Sequence, residues 1–456
     1  MRLSEVRVYG LFGLFDHVIP LNLSERITIL HAPNGFGKTV VLKLISGMFG
    51  GSLSIFRDIE FATIEYQFES GSVLRVEQTE LQPELFADAP RRDLRRYRIE
   101  LIGGSEPMVW DPDEKRETEG RWEVSPANWE RYLPFVRRVS TREWLDTRIG
   151  DTIGQSEMMA RYADRLPPSM RRRAPLPEWL ESVRASLRCR LIETQRLVTY
   201  EKKSTSYGQS EPAITPAVHR YSTELQSSIE RLLAESATLS QALDQTFPNR
   251  LLQRMQKSGA LPSEHDLRER LSDLEEQRLR LAKVGLLDSA KDSTIVSDAR
   301  FDDATLRILT TYVEDTTAKL SIYEDTLQKI ELFLEIINSR FQFKSISISR
   351  SDGFVFKDIR GKGLKPENLS SGEQHELILI YDLIFQSKKD TLILIDEPEI
   401  SLHIAWQKRF LSDLRRIIEL TQVDAVVSTH SPQLIGRDLN LTVQLQPPAN
   451  DLLHSK

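Results

Sequence analysis

The spacing of hydrophobic and polar positions changes several times along the chain. Residues 2-RLSEVRVYG-10 alternate as a strand does, and 26-RITIL-30 is a short β-rich run. The loop 31-HAPNGFG-37 follows, then the helix-like 38-KTVVLKLISGMF-49. A strand that ends in a Gly-containing loop and opens a helix is the setting a phosphate loop needs. Period-2 runs flank Glu69-Ser70-Gly71-Ser72 within residues 61–79 and predict a hairpin. Residues 83–187 are mixed. Prolines in 166-LPPS-169 and 174-APLPE-178 mark a loop-rich insert, and the arginines at 91–96, 137–138 and 171–173 read as solvated faces.

From about residue 215 to 340 the period becomes helical. Leu225, Ile229, Leu232, Ser236, Leu239 and Leu243 alternate steps of four and three, as do Leu267, Leu271, Leu274, Arg278 and Leu281. The longest seam is Leu306, Leu309, Val313, Thr316, Leu320, Tyr323, Leu327, Ile330, Leu334 and Ile337. Sustained heptads predict an antiparallel coiled-coil arm. Breaks at 246-TFPNR-250, 258-SGALPSE-264 and 284-VGLLDSAKDS-293 predict several helices in place of one rod.

After residue 340 strands return. The stretch 344-KSISISRSDGFVFKDI-359 reads as a hairpin around Ser351-Asp352-Gly353, followed by a helix after 370. A buried strand at 391–395, a helix at about 403–419 and a buried strand at 424–428 complete the pattern. Strands alternating with helices imply a mostly parallel sheet. The expected organisation is α/β, with one head built from both chain ends. Residues 1–205 form its N-terminal lobe, 206–340 a helical insertion and 341–456 its C-terminal lobe.

The 456 residues allow about three domain-sized units. Hydrophobic residues at 40% and charged residues at 28% suit a chain that buries a core. No apolar run approaches the ~18 residues of a membrane span, and the N-terminus lacks a signal-peptide core, so no membrane role is expected. Cys189 is the single cysteine, which excludes an intrachain disulfide and a cysteine zinc site and fits a reducing cytoplasm. The net charge of -6 makes any nucleic-acid contact local.

Four motifs carry chemistry. Ala32-Pro33-Asn34-Gly35-Phe36-Gly37-Lys38-Thr39 is a phosphate loop in which Ala32 replaces the usual leading glycine. Backbone N–H groups from Asn34 to Val40 can wrap phosphates, Lys38 can reach the β and γ phosphates of ATP, and Thr39 can bind Mg2+. Leu392-Ile393-Leu394-Ile395-Asp396-Glu397-Pro398 is an apolar strand ending in two acids. Asp396 can hold Mg2+ through water, and Glu397 can polarise the attacking water as general base. Leu369-Ser370-Ser371-Gly372-Glu373-Gln374 opens a helix. It reads either as a turn that presents Ser370, Ser371, Gly372 and Glu373 to an anion, or as an ordinary helix cap. Ser428-Thr429-His430-Ser431-Pro432 places His430 just past a strand end, where it can donate to a γ-phosphate oxygen.

These motifs, in this order and split around a helical insertion, resemble the ABC-type ATPases of the SMC, RecF and OLD group. The likeness covers roughly residues 1–70 and 340–445. It implies a homo-oligomer in which two heads sandwich ATP, and a Mg2+-binding glutamine that matches Gln195 in 191-LIETQRLV-198. After the acids the group's loop ends Leu-Asp; here 399-EISLH-403 departs at His403. More narrowly, 369-LSSGEQHELILIYDLIF-385 and 396-DEPEISLHIAWQ-407 look like stand-alone ATPase subunits of prokaryotic antiphage defence systems, first of the PARIS type and next of the Septu type.

That likeness implies a sensor and scaffold that controls a separate nuclease effector, TOPRIM-type or else HNH-type, with a phage-encoded trigger protein. No nuclease motif of either kind is evident in the chain itself. The alternative is an SMC- or RecF-like DNA-repair ATPase that acts directly on DNA. A transporter subunit is disfavoured, because such subunits have no place for the long helical insert.

Overall fold

The computed structural model describes residues 1–80, 95–104, 106–112, 176–204, 210–256, 261–288, 300–400 and 402–447, with short pieces between 133 and 162. The chain divides into two compact units. One comprises Met1–Arg196, Tyr200–Ile214 and Gln386–Lys456; the other comprises Leu197–Thr199 and Thr215–Phe385. Residues 341–385, expected in the C-terminal lobe, thus group with the helices.

The first unit has two principal sheets. A five-stranded parallel sheet runs in the order Arg188–Ile192, Thr391–Asp396, Asp424–Thr429, Ile27–His31, Thr442–Gln444. Its second strand, Thr391–Asp396, is buried at every position, as an inner strand covered on both faces must be. The second sheet has six antiparallel strands: Phe15–Pro20, Leu3–Leu11, Thr63–Phe68, Val73–Glu80, Arg95–Ile102 and Met108–Trp110. The hairpin predicted around Gly71 is its third and fourth strands.

The helix Lys38–Phe49 packs against both sheets. Its Val41, Leu42, Leu44, Ile45 and Met48 share one core with residues of each. Phe49 meets Tyr66 edge-on at 5.3 Å, and the Tyr66 hydroxyl donates to the Leu44 carbonyl at 2.9 Å. The strand Phe15–Pro20 was not expected. Phe15, His17 and Ile19 are buried and alternate with exposed positions, but a histidine among the inward residues hides the period. The predicted helix at 403–419 is two, Ile404–Gln407 and Phe410–Thr421.

The second unit holds the helical insertion. Its helices are Ala217–Gln256, Glu264–Lys283, Asp303–Ser321 and Glu324–Asn338. The predicted seams are internal: Leu225, Ile229, Leu267, Leu274, Leu281, Val313, Leu320, Leu327 and Ile330 are buried. One expectation needs correction. The 246–250 segment does not break the first helix, which runs through Pro248. Proline removes one N–H and crowds the preceding turn. Here the Arg250 guanidinium, held by Asp315, donates to the Leu243 carbonyl at 2.8 Å, in the turn before the proline.

The insertion packs its helices side by side. Ion pairs Lys319–Asp244 and Arg254–Glu314 set Asp303–Ser321 antiparallel to the first helix. Arg280 with Glu331 and Arg278 with Tyr312 bring Glu264–Lys283 alongside as a third strand of helix. Lys344–Ser349, Gly353–Asp358 and Gly363–Leu364 form a small antiparallel sheet in the same unit, including the second predicted hairpin. Among the described residues no helix is long and apolar enough to cross a membrane.

A candidate nucleotide site at the carboxyl edge of the parallel sheet

The register of the parallel sheet decides where the motifs meet. Asp396 lies opposite Ser428, Thr429 opposite His31, and Ile192 opposite Ile395. All these strands run the same way, so the phosphate loop, the paired acids, the histidine turn and the segment after Ile192 leave from one edge. That edge is where open parallel sheets bind ligands.

In the phosphate loop Gly35 and Gly37 have φ of 90° and 83°, in the left-handed region that favours glycine. A Cβ on Gly37 would also come within 2.7 Å of the Leu11 side chain. Pro33, Asn34 and Gly35 are exposed, while Phe36 leans on Phe15 at 5.4 Å between ring centres. His17 Nε2 lies 3.0 Å from the Phe36 carbonyl, and an acceptor there requires the ring to donate. Burial lowers the His17 pKa from its ordinary value, which favours the neutral ring.

Lys38 is buried and folds back on its own loop, donating to the Ala32 carbonyl at 2.8 Å and the Pro33 carbonyl at 3.2 Å. An ammonium has three donors, so one remains for a phosphate oxygen. Val40 follows Thr39 in the first turn of the helix.

Asp396 is buried and gathers hydroxyls. Its Oδ1 accepts from Thr39 at 2.9 Å and from Ser428 at 2.6 Å, and its Oδ2 lies 3.5 Å from the Thr194 hydroxyl. Gln195, the expected metal ligand, is exposed in the loop after Arg188–Ile192; its neighbour Thr194 is the residue that reaches Asp396. Among the described residues no group of three or more His, Cys, Asp or Glu side chains could hold a metal. Thr39 and Asp396 offer hard oxygen donors, which fit Mg2+ if phosphate oxygens and water complete its shell.

Glu397 takes a positive φ of 43°, and its N–H donates to the Ser428 carbonyl at 3.0 Å. A non-glycine residue in that region is strained, a feature that clusters at functional sites. Its Oε1 lies 3.6 Å from His430 Nδ1. Glu399 lies closer to that ring, with Oε1 at 3.4 Å from Nδ1. His403 caps the helix Ile404–Gln407 by accepting from the Ala405 N–H at 3.2 Å. Ser401, in the same loop, lies outside the described residues.

The serine turn belongs to the other unit. Ser370 accepts from the Glu373 N–H at 3.3 Å, and Glu373 accepts from the Ser370 N–H at 2.7 Å. This reciprocal pair is a capping box. Glu373 is buried and also pairs with Lys344 at 2.8 Å, while Ser371 remains exposed and Gly372 half-buried. Of the basic clusters, 171–173 and most of 91–96 lie outside the described residues; Arg95 pairs with Glu60 at 2.9 Å.

A family model described as "AAA domain, putative AbiEii toxin, Type IV TA system" matches residues 33–436, from the phosphate loop to beyond the histidine turn. The chain belongs to this AAA-domain family. No curated protein matches it. Three solved structures are similar at low identity to this AAA domain. The Smc head domain with an extended coiled coil, bound to the C-terminal domain of ScpA and derived from Pyrococcus furiosus, is 13% identical over 95% of this chain and 90% of that chain, with TM-score 0.33. The SMC head domain from Thermotoga maritima is 12% identical over 95% and 91%, with TM-score 0.32. The SmcHead bound to the C-winged helix domain of ScpA is 11% identical over 95% and 91%, with TM-score 0.33.

The AAA domain brings Lys38, Thr39, Asp396, Glu397 and His430 to one edge. Sequence reasoning missed Thr194, Ser428 and Glu399. Ser428 and Glu399 sit inside the quoted motifs, but which hydroxyl or carboxylate faces the site depends on strand register. Thr194 is adjacent to the expected glutamine, and nothing local marks it.

Proposed function

We propose that this AAA domain binds ATP with Mg2+ at the sheet's carboxyl edge and hydrolyses it. What carries the reading is the meeting of Lys38, Thr39, Asp396, Glu397 and His430 at one edge. Backbone N–H groups of Asn34, Gly35, Phe36, Gly37, Lys38, Thr39 and Val40 wrap the phosphates, and the remaining Lys38 donor takes a phosphate oxygen. Bound Mg2+ would neutralise charge on the phosphate oxygens. Thr39 and Asp396 would hold it, with Gln195 as a further ligand. Glu397 takes a proton from the attacking water as that oxygen bonds to the γ phosphorus. The bond from phosphorus to the bridging oxygen breaks, releasing ADP and phosphate. Ser370, Ser371 and Gly372, with Glu373 holding their turn, cover the nucleotide of a second copy, so the active form is a homo-oligomer.

In the cell we read it as the cytoplasmic sensor and scaffold of an antiphage defence complex. It holds and controls a separate nuclease, TOPRIM-type or else HNH-type, and answers a phage-encoded trigger protein. Supporting this is the likeness of residues 369–385 and 396–407 to stand-alone defence ATPases. Two measurements test the reading. The purified chain should release phosphate from ATP in a Mg2+-dependent way; no release at any protein concentration overturns the hydrolase. Cells carrying the chain with its flanking genes should resist phage, and resistance should vanish when either this gene or an adjacent nuclease gene is deleted. Resistance that survives loss of this gene removes the defence role.

A further inference from the structure

Glu399 is buried, with a relative exposure of 6%, and no lysine or arginine among the described residues lies within ion-pair distance of it. A buried carboxylate needs hydrogen bonds and a counter-charge to stay ionised. The Oε1 atom accepts from the Thr429 hydroxyl at 2.6 Å and the His430 N–H at 2.9 Å, and it lies 3.4 Å from His430 Nδ1. The Oε2 atom is buried and makes no hydrogen bond among the described residues. The backbone carbonyl of Glu399 lies 3.4 Å from Gln407 Nε2, whose Oε1 accepts from Ser431 at 2.9 Å. The acid loop and the histidine turn are therefore tied together through Glu399 on both sides of His430.

We infer that Glu399 is a positioning residue that sets the tautomer of His430, placing the hydrogen on Nδ1 and leaving Nε2 as the ring atom for the nucleotide. This rests on the ATPase reading above. Oε1 already accepts two hydrogen bonds, so it acts as an acceptor, and a ring nitrogen facing it carries the hydrogen. Glu397 and Glu399 are the charged groups within ion-pair distance of the ring among the described residues, and both face Nδ1. The Nε2 atom has no hydrogen-bond partner there, and the side chain is 46% exposed. Held this way, a neutral ring offers Nε2 as an acceptor, and it donates to a γ-phosphate oxygen only as the charged ring. Glu397 must accept the water proton, so it cannot hold the ring throughout the reaction. Glu399 stands outside that proton transfer and can.

The test uses the full chain with histidine labelled by nitrogen-15. The His430 ring signals are assigned with His430→Gln and read under conditions that keep the ring neutral. The wild type should show hydrogen on Nδ1. Glu399→Leu removes the oxygen that faces Nδ1, together with the acceptor for the Thr429 hydroxyl and the His430 N–H. It should shift the His430 signals toward the Nε2–H form and lower kcat at least about tenfold, with ATP affinity within about twofold of wild type. Hydrogen on Nε2 in the wild type overturns the inference without any variant, so a variant that fails to fold does not leave the question open. A fall in kcat with wild-type ring signals, or kcat within twofold of wild type, overturns it as well. A wild type without turnover would sink the ATPase reading, while its ring spectrum would still decide the tautomer.

Discussion

The Thr39 hydroxyl donates to Asp396 Oδ1 at 2.9 Å, joining residues 357 positions apart. Ser428 donates to the same oxygen at 2.6 Å. The phosphate-loop helix, the acid strand and the histidine strand thus share one buried carboxylate. A Mg2+ ion placed at Thr39 and Asp396 would meet two oxygens already drawn together.

Lys38→Ala should weaken ATP binding by about 1.5–3 kcal/mol, the usual worth of a charge-assisted hydrogen bond. That is roughly 10- to 150-fold in Kd. Titration calorimetry with ATP reads the change directly, and wild-type affinity would remove Lys38 from the phosphates.

Glu397→Gln should keep ATP bound and slow its hydrolysis by at least ~10²-fold, the scale of losing a general base. The backbone bond from residue 397 to the Ser428 carbonyl does not involve the side chain, so the turn should hold. Single-turnover phosphate release separates this from a binding defect. Undiminished turnover would mean that another group activates the water.

Turnover per chain should rise with protein concentration and level off as heads pair. The expectation rests on the serine turn completing the nucleotide site of a second copy. Phosphate release measured beside sizing by light scattering tests it. Flat specific activity down to concentrations that contain only monomers would rule out a composite site.

His17 links pH to the stability of the phosphate loop. Its pKa is lowered by burial, so the unfolded chain binds the proton more readily than the folded one. The contribution is therefore complete above the unfolded value, about 6.5. It declines as pH falls below that value and stops changing once pH passes below the folded one. His17→Phe should flatten this part of the Tm-against-pH curve. A variant with the same acid slope as wild type would show that other groups cause it.

Much of the site was legible in local sequence. The order strand, Gly-containing loop, helix is written in residues 26–49, because left-handed turns and exposed N–H groups need those residue types at those places. The heptad seams were legible for the same reason: burial along a helix repeats with its own period. The continuous helix through Pro248 was not, because its support comes in part from Asp315 on another helix, which holds Arg250 against the turn before the proline. The capping alternative for the serine turn was readable, since Ser370 and Glu373 are three residues apart and their bonds are local.

By itself, the sequence determined a strand, Gly-containing loop and helix in that order, an acid-ended buried strand, a serine turn that opens a helix and a split α/β pattern around helices. Each is a property of neighbours in the chain, where spacing alone sets which groups can meet. Only the tertiary structure decided that Arg188–Ile192 pairs with Thr391–Asp396, and that Thr194 rather than Gln195 reaches Asp396. It alone assigned Glu399 to His430. These contacts depend on strand register, and register follows from how whole sheet faces bury their side chains. A one-residue slip would turn Asp396 away from Thr39 without altering any motif.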